Sequence, residues 1–175
     1  MNKKALYFGL IYSLCFIIYK LIILLGGYTL TKFGFYYSTI TGVLFILPFF
    51  FLAIYLVREK DYNGIIGGKE SIRIALTILA VALIVTSIYN YIEFEWKFKE
   101  IAIGYYNSSE YLDILKEQQI RYPNKIKVED FPKIVSDQIS ELSAFKSVTG
   151  KLIPFMFFGL SGAFMAAVLL KRKAK

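Results

Sequence analysis

Long apolar runs separated by shorter polar stretches dominate the hydrophobic pattern of this chain. Four runs approach the roughly 20 residues that a helix needs to cross about 30 Å of hydrocarbon. They cover about residues 5–25, 40–57, 72–92 and 152–170. Because a backbone in lipid must satisfy its own hydrogen bonds, each run predicts a transmembrane α-helix. The pattern therefore predicts an all-α protein, an integral membrane four-helix bundle.

The segment between the third and fourth runs, residues 93–151, has a different pattern in which charged residues are scattered among apolar ones. Asn107 and Glu110 resemble a capping box and predict a short helix that ends near Arg121. Asp130 and Pro132 mark a second helix start. One apolar stripe at helical spacing follows, made of Phe131, Ile134, Val135, Ile139, Leu142 and Phe145. The segment is thus predicted to be an insert with two amphipathic helices.

Composition agrees with a multi-pass membrane protein, since 57% of the chain is hydrophobic, 19% is charged and the mean hydropathy is +0.53. Ten Lys and Arg residues flank the runs on one side, whereas the opposite short loop holds only Lys32. The positive-inside rule makes that basic side cytoplasmic, with both termini inside and residues 93–151 exported. Residues 1–175 then form a single membrane domain. The net charge of +8 is a topology signal, and no nucleic acid is expected as a partner.

The loop "NGIIGGKES", residues 63–71, has the glycines, lysine and hydroxyl of a phosphate-binding loop. A P-loop requires G-x-x-x-x-G-K-[ST], in which the backbone amides hold phosphate and the hydroxyl holds magnesium. Here Asn63 stands at the first glycine position and Glu70 at the hydroxyl position. We therefore predict a cytoplasmic turn, with contact between Lys69 and lipid headgroups as the open alternative. The residues predicted to form the turn are Asn63, Gly64, Gly67 and Gly68.

The chain offers little enzyme chemistry. It has no histidine, and its one cysteine, Cys15, lies inside the first apolar run. His/Cys metal sites and Ser-His-Asp or Cys-His nucleophile systems are therefore absent. We expect no catalytic residue, no metal, no cofactor and no enzymatic activity.

Three polar residues within or beside the apolar runs are candidates for an intramembrane site, because polar groups are costly to bury in lipid. Lys20, Asn90 and Glu93 are predicted to lie at similar depth near the outer membrane boundary. They could line a polar cavity. The alternative is that Lys20 snorkels to the interface and Glu93 lies in water.

The fourth run carries Gly159, Ala163 and Ala167 at intervals of four residues. Such a ridge of small residues lets another helix approach closely. The neighbour is either a helix of the same chain or a second copy in a homo-oligomer.

Three stretches of the sequence resemble one known family. They are "YNGIIGGKESIRIAL", "TSIYNYIEFEWKF" and "GKLIPFMFFGLSGAFMAAVLLKRK", with a charged helical insert between the last two. Together they resemble the bacterial membrane-protein family catalogued as domain of unknown function 4199. The resemblance covers nearly the whole chain and implies a four-helix protein of the bacterial inner membrane without an assigned activity. Members often have an aromatic residue shortly after "NGG", which this chain lacks near Lys69.

The predicted function is that of a non-enzymatic membrane component, embedded in the lipid bilayer, which binds or positions a partner protein. The predicted contacts are the exported helices, with the apolar stripe within residues 131–145 as the docking face, and the basic cytoplasmic side. The alternative for the stripe is that it packs on the membrane surface or on its own helix bundle. The alternative is a small transporter or channel with a polar site near Lys20, Asn90 and Glu93. Proton coupling would need a titratable carboxylate deep within a helix, and the pattern places Glu93 at a helix end.

Overall fold

The computed structural model describes residues 2–30, 38–123 and 125–171, which are helical and contain no β-strand. The all-α class is therefore confirmed for these residues. The helices are α1 (Lys3–Leu25), α2 (Ser38–Asp61), α3 (Gly68–Glu93), α4 (Lys99–Tyr106), α5 (Ser109–Arg121), α6 (Phe131–Ser140) and α7 (Ala144–Leu170). A π-helical segment, Phe94–Phe98, joins α3 to α4, and a 3₁₀ turn, Val128–Asp130, precedes α6.

Three stretches of helix among the described residues are long and apolar enough to cross a membrane. They are Lys3–Leu25, Gly68–Tyr106 and Ala144–Leu170. These helices indicate a membrane-embedded protein. α2 covers the predicted span 40–57 but is not one of the three, so its crossing and the four-helix count stay predictions.

The third helix is much longer than the predicted span 72–92. It runs without a break from Gly68 to Tyr106, over 39 residues. The expected end rested on the charges that begin at Glu93, but Phe94 and Ala102 beyond it are buried and continue the helix. At 1.5 Å per residue the helix is about 58 Å long, nearly twice the hydrocarbon thickness, so part of it must lie outside the hydrocarbon.

The single stripe predicted across residues 131–145 is also wrong, because it is divided between two helices. α6 ends at Ser140 and α7 begins at Ala144. The Ser143 hydroxyl accepts a hydrogen bond from the Lys146 amide at 3.2 Å, which caps the start of α7. Phe145 therefore belongs to α7, where it is exposed.

The chain divides into two compact units. The first unit comprises Met1–Tyr89 and Val148–Lys175, and the second is Asn90–Ser147. At the centre of the first unit Tyr12 is fully buried, and its hydroxyl donates a 2.8 Å hydrogen bond to the Gly42 carbonyl. Its ring contacts four others, those of Phe16, Phe45, Phe49 and Phe155. This cluster joins side chains of α1, α2 and α7.

The second unit is built around α4, which packs against α5 and α6. Its buried apolar side chains include Phe94, Ala102, Leu115 and Phe131. The residue that caps α5 is Ser108, whose hydroxyl accepts from the Tyr111 amide at 3.3 Å. Asn107 instead ends α4, donating from its side-chain amide to the Ile103 carbonyl at 2.9 Å. The capping box predicted at Asn107 is therefore wrong by one residue.

Candidate functional site

The second unit exposes apolar side chains between the end of α5 and the 3₁₀ turn. Ile120 is 76% exposed and Val128 is 63% exposed, with Tyr122 half-exposed between them in sequence. The Lys125 ammonium lies 6.0 Å from the centre of the Tyr122 ring. We call Ile120, Tyr122 and Val128 the apolar rim. Exposed apolar residues that lie close together in the chain are candidates for a surface that binds other molecules.

The apolar stripe of α6 is largely covered within the second unit. Phe131 is buried, and Ile134 and Ile139 are partly buried, because α6 packs against α4. Lys133 and Asp137, on the opposite side of the helix, are exposed. A partner that contacts residues 131–145, as the sequence predicts, would therefore meet mainly the polar side of α6.

Three tyrosine rings meet at the corner between α4 and α5. The ring centres of Tyr105, Tyr106 and Tyr111 lie 5.0 to 5.9 Å apart. Partial burial raises the pKa of the Tyr111 phenol, and the neighbouring phenols of Tyr106 and Tyr105 raise this pKa further. Tyr111 is therefore neutral at physiological pH and stabilises the junction of α4 and α5 through contacts between the rings.

The three predicted intramembrane polar residues are all buried. Lys20 is 7% exposed and belongs to α1 in the first unit, whereas Asn90 and Glu93 belong to the second unit. Each of the three has an interaction partner. Glu93 is 1% exposed and lies inside a continuous helix, directly before the π-helical segment Phe94–Phe98. Mutual contact within a Lys20, Asn90 and Glu93 cluster stays a prediction.

The π-helical segment is a feature that the sequence did not signal. Such segments are uncommon and occur frequently at functional sites, because the wider turn displaces the side chains that follow it. Here it separates the buried Glu93 from the start of α4 at Lys99, and the rings of Phe94 and Phe98 lie 5.9 Å apart across it. It marks the neighbourhood of Glu93 as a candidate site.

The glycine loop between α2 and α3 is a tight turn. Asn63 and Gly64 have φ angles of 49° and 82°, the left-handed conformation that Asn and Gly adopt most readily. The Gly64 amide donates to the Arg58 carbonyl at 2.9 Å, and Ile66 is buried, so both sides of the turn are anchored. After Gly67, α3 begins at Gly68, and the Ser71 hydroxyl donates back to the Gly67 carbonyl at 2.9 Å.

Arg58 has a structural role that its position after an apolar run did not reveal. Its side chain is buried, pairs with Glu59 at 2.8 Å and lies over the Tyr55 ring at 5.1 Å. It also donates to the Leu170 carbonyl at 3.4 Å. Because carbonyls at a helix end carry partial negative charge, this contact joins the end of α2 to the end of α7.

The small-residue ridge on α7 packs inside the first unit. Ala163 and Ala167 are buried, and a Cβ atom at Gly159 would clash with the side chain of Leu79 on α3. The close neighbour of Gly159 is therefore a helix of the same chain. The sequence left open whether that neighbour was a second copy.

These features define a class, a membrane-embedded all-α protein with a compact helical unit inserted before its last helix. The family described as "Protein of unknown function (DUF4199)" matches residues 3–172, and the chain belongs to that family. The resemblance to domain of unknown function 4199 is thereby confirmed. No curated protein and no solved structure matches the chain.

Proposed function

We propose that the protein is a non-enzymatic membrane component whose Asn90–Ser147 unit binds and positions a partner protein. The observation that carries the proposal is the apolar rim, Ile120, Tyr122 and Val128, exposed on a unit that has a core of its own. Full burial of an isoleucine or valine side chain contributes about 1.5 to 3 kcal/mol, so covering this rim would favour association.

The surroundings of the apolar rim suit a protein partner. Its neighbours in sequence include the exposed basic residues Arg121, Lys125 and Lys127 and the exposed acidic residues Glu129 and Asp130. An apolar centre bordered by charges of both signs is the usual composition of a protein–protein interface. A partner would place apolar side chains on the rim and polar groups around it.

The proposed setting is the bacterial inner membrane, with both termini in the cytoplasm and the Asn90–Ser147 unit on the exported side. Its support is the concentration of ten Lys and Arg residues on one side of the predicted spans. Arg172, Lys173 and Lys175 of that set lie outside the described residues. In this arrangement the apolar helices anchor the unit while the rim faces water.

The proposal is tested by placing a photoreactive amino acid at Ile120 or Val128 and irradiating cells that express the full chain. Gln118 and Lys133, which are exposed but polar, provide matched control positions. We expect one discrete adduct from the rim positions and none from the controls. A band at twice the chain mass would identify the partner as a second copy, as in a homo-oligomer.

Loss of the adduct when Ile120→Asp is combined with the probe at Val128 would assign the binding to the apolar rim. Equal labelling at all four positions, or no discrete adduct at any, would contradict the proposal.

A small transporter or channel is a second candidate, favoured by the buried Glu93 inside a helix that continues beyond it. We propose that Glu93 pairs with Lys20 in a polar site that also includes Asn90. If so, Lys20→Met or Glu93→Gln alone strands a buried charge, which costs about 3 to 5 kcal/mol. The double variant should lose less than the sum of the two.

The exposed pair Lys97 and Glu100, at 2.9 Å, is the matched control for this double-mutant cycle. Coupling measured from melting temperatures in detergent should be large for Lys20 and Glu93 and near zero for the control pair. Additive effects at both pairs would contradict the polar site.

A further inference from the structure

A groove of about 510 Å³ runs along α3 beside the start of α1. Two cationic residues, Lys69 and Arg73, line one end of it. Thr77 also lines the groove, but its hydroxyl donates to the Arg73 carbonyl at 2.8 Å. The remaining walls are apolar and consist of Leu6, Ile72, Leu76, Ala80, Val81 and Ile84. The groove is thus cationic at one end and apolar along the rest of its length.

The two cations at the groove are not neutralised by carboxylates of the described residues. Lys69 and Arg73 are one helical turn apart on the same face of α3 and are exposed. Neither takes part in an ion pair within the described ranges, whereas Lys4 pairs with Asp61 in the same unit. Glu70, the acidic residue between them in sequence, places its carboxylate beside Gly67. The cationic end is therefore complementary to an anion.

The length of the groove matches one leaflet of a membrane. α3 belongs to a stretch that is long and apolar enough to cross the bilayer, and the groove follows it inward from its first turn. Arg73 and Ile84 are separated by roughly 16 Å along the helix axis, at 1.5 Å per residue. Half of the hydrocarbon thickness is about 15 Å. An acyl chain of one leaflet can therefore lie along the apolar part of the groove while its headgroup stays at the cations.

We propose that this groove binds one anionic phospholipid. The phosphate is held by the Lys69 ammonium and the Arg73 guanidinium, and one acyl chain packs against Leu76, Ala80 and Ile84. Arg suits phosphate because its planar fork donates two parallel hydrogen bonds, and Lys adds a compact charge. Anionic lipids are abundant in the cytoplasmic leaflet, the side on which the basic residues place this end of α3.

The experiment is native mass spectrometry of the full chain in detergent, titrated with phosphatidylglycerol or with phosphatidylcholine of the same acyl chains. We expect a single bound phosphatidylglycerol, held about tenfold or more tightly than phosphatidylcholine. The variant Lys69→Gln/Arg73→Gln should bind phosphatidylglycerol about 25-fold more weakly, since each basic residue near anionic lipid contributes about fivefold. Lys3→Gln/Lys60→Gln, an equal charge loss at exposed residues outside the groove, should bind like the wild type.

A second variant, Ala80→Phe, fills the apolar part of the groove and leaves both cations in place. It should lose phosphatidylglycerol binding as well, and unchanged melting in phosphatidylcholine would show that it is folded. Binding that survives Ala80→Phe but not the loss of the two cations would overturn the groove assignment. Displacement of the lipid by millimolar inorganic phosphate would show a free-anion site instead. Equal affinity for the two lipids, or a normal affinity in Lys69→Gln/Arg73→Gln, would overturn the proposal.

Discussion

The two units of this protein satisfy their polar groups in different ways. In the first unit the buried hydroxyls of Ser13 and Thr86 donate to carbonyls four residues earlier on their own helices, at 2.8 and 2.7 Å. The ion pairs of the first unit, Lys4 with Asp61 and Arg58 with Glu59, lie near helix ends. The Asn90–Ser147 unit carries exposed ion pairs along its helices, of which Lys97 with Glu100 is an example at 2.9 Å. A hydroxyl bonded to its own helix needs no solvent, whereas an exposed ion pair requires water. This difference is expected if the first unit lies in lipid and the second in water, as proposed above.

The two units also differ in how their hydrophobic cores are packed. The first unit packs a fully buried Tyr12 among four other rings and brings α7 against α3 at a glycine. The second unit buries few large apolar side chains, with Leu115 and Phe131 among them. We therefore expect the first unit to resist unfolding and the second to open at lower free energy.

The largest effect is expected from Tyr12→Ala. Removing a fully buried ring and its hydrogen bond to Gly42 should lower the free energy of unfolding by about 4 kcal/mol. The measurement is denaturant unfolding in detergent. Tyr7→Ala is the matched control on the same helix, because Tyr7 is 65% exposed, and it should change stability little. Equal losses from both variants would contradict a packed centre at Tyr12.

The next effect is expected from Gly159→Leu, which forces a side chain against Leu79. Overpacking of this kind should cost about 2 to 3 kcal/mol. Gly150 lies on the same helix with no atom near its missing Cβ, so Gly150→Leu should be neutral in the same unfolding assay. If Gly159→Leu were as stable as Gly150→Leu, the close approach of α7 to α3 would be disproved.

A smaller and local effect is expected from Leu115→Ala in the second unit. It should cost about 2 kcal/mol, the low end for a buried leucine, because a small unit relaxes around the gap. Hydrogen exchange should then accelerate within residues 90–147 and stay unchanged at α1. Leu112→Ala, which removes an exposed leucine from the same helix, is the control. Faster exchange throughout the chain would show that the two units unfold as one.

The smallest effect concerns Tyr111. Because its pKa is raised, the Tyr111 phenol stays protonated in the folded state at a pH where the same phenol loses its proton in the unfolded chain. The stability from this group is complete below about pH 10, the ordinary tyrosine value, and is lost as the pH rises through the folded value. Tyr111→Phe should therefore lose less stability than the wild type between pH 8 and about pH 11. If the wild type and Tyr111→Phe had identical pH profiles of melting temperature, Tyr111 would not contribute to the pH dependence of stability.

The sequence predicted the parts of the fold that depend on continuous apolar runs. α1 spans Lys3–Leu25, near the expected 5–25, because the run contains no proline and Lys20 is its single charged residue. The end of the third helix was misplaced because the predicted span stopped before the charged residues, the first of which is Glu93. Its burial depends on packing that one helix pattern does not reveal. The start of α7 was missed although Ser143 is a capping residue, because polar residues and a glycine interrupt the apolar pattern between Lys146 and Lys151.

The candidate sites were less predictable. The apolar rim could not be identified in advance, since exposed and buried apolar residues look alike in α5 until α4 is packed against it. The groove proposed to bind lipid requires Leu6 of α1 beside α3, a contact between distant positions in the chain. Lys69 was connected with lipid headgroups from the sequence, but Arg73 was interpreted only as a topology signal. The π-helical segment has no sequence signature.

The central proposal is that the Asn90–Ser147 unit faces water on the exported side while the α2–α3 turn faces the cytoplasm. Its direct test uses the single natural cysteine, replaced as Cys15→Ser, and new cysteines at two exposed positions, Gln118→Cys and Lys60→Cys. Spheroplasts are treated with a thiol reagent that does not cross membranes. Gln118→Cys should be labelled in intact spheroplasts and Lys60→Cys only after lysis. The reverse pattern, or labelling of both before lysis, would contradict the account.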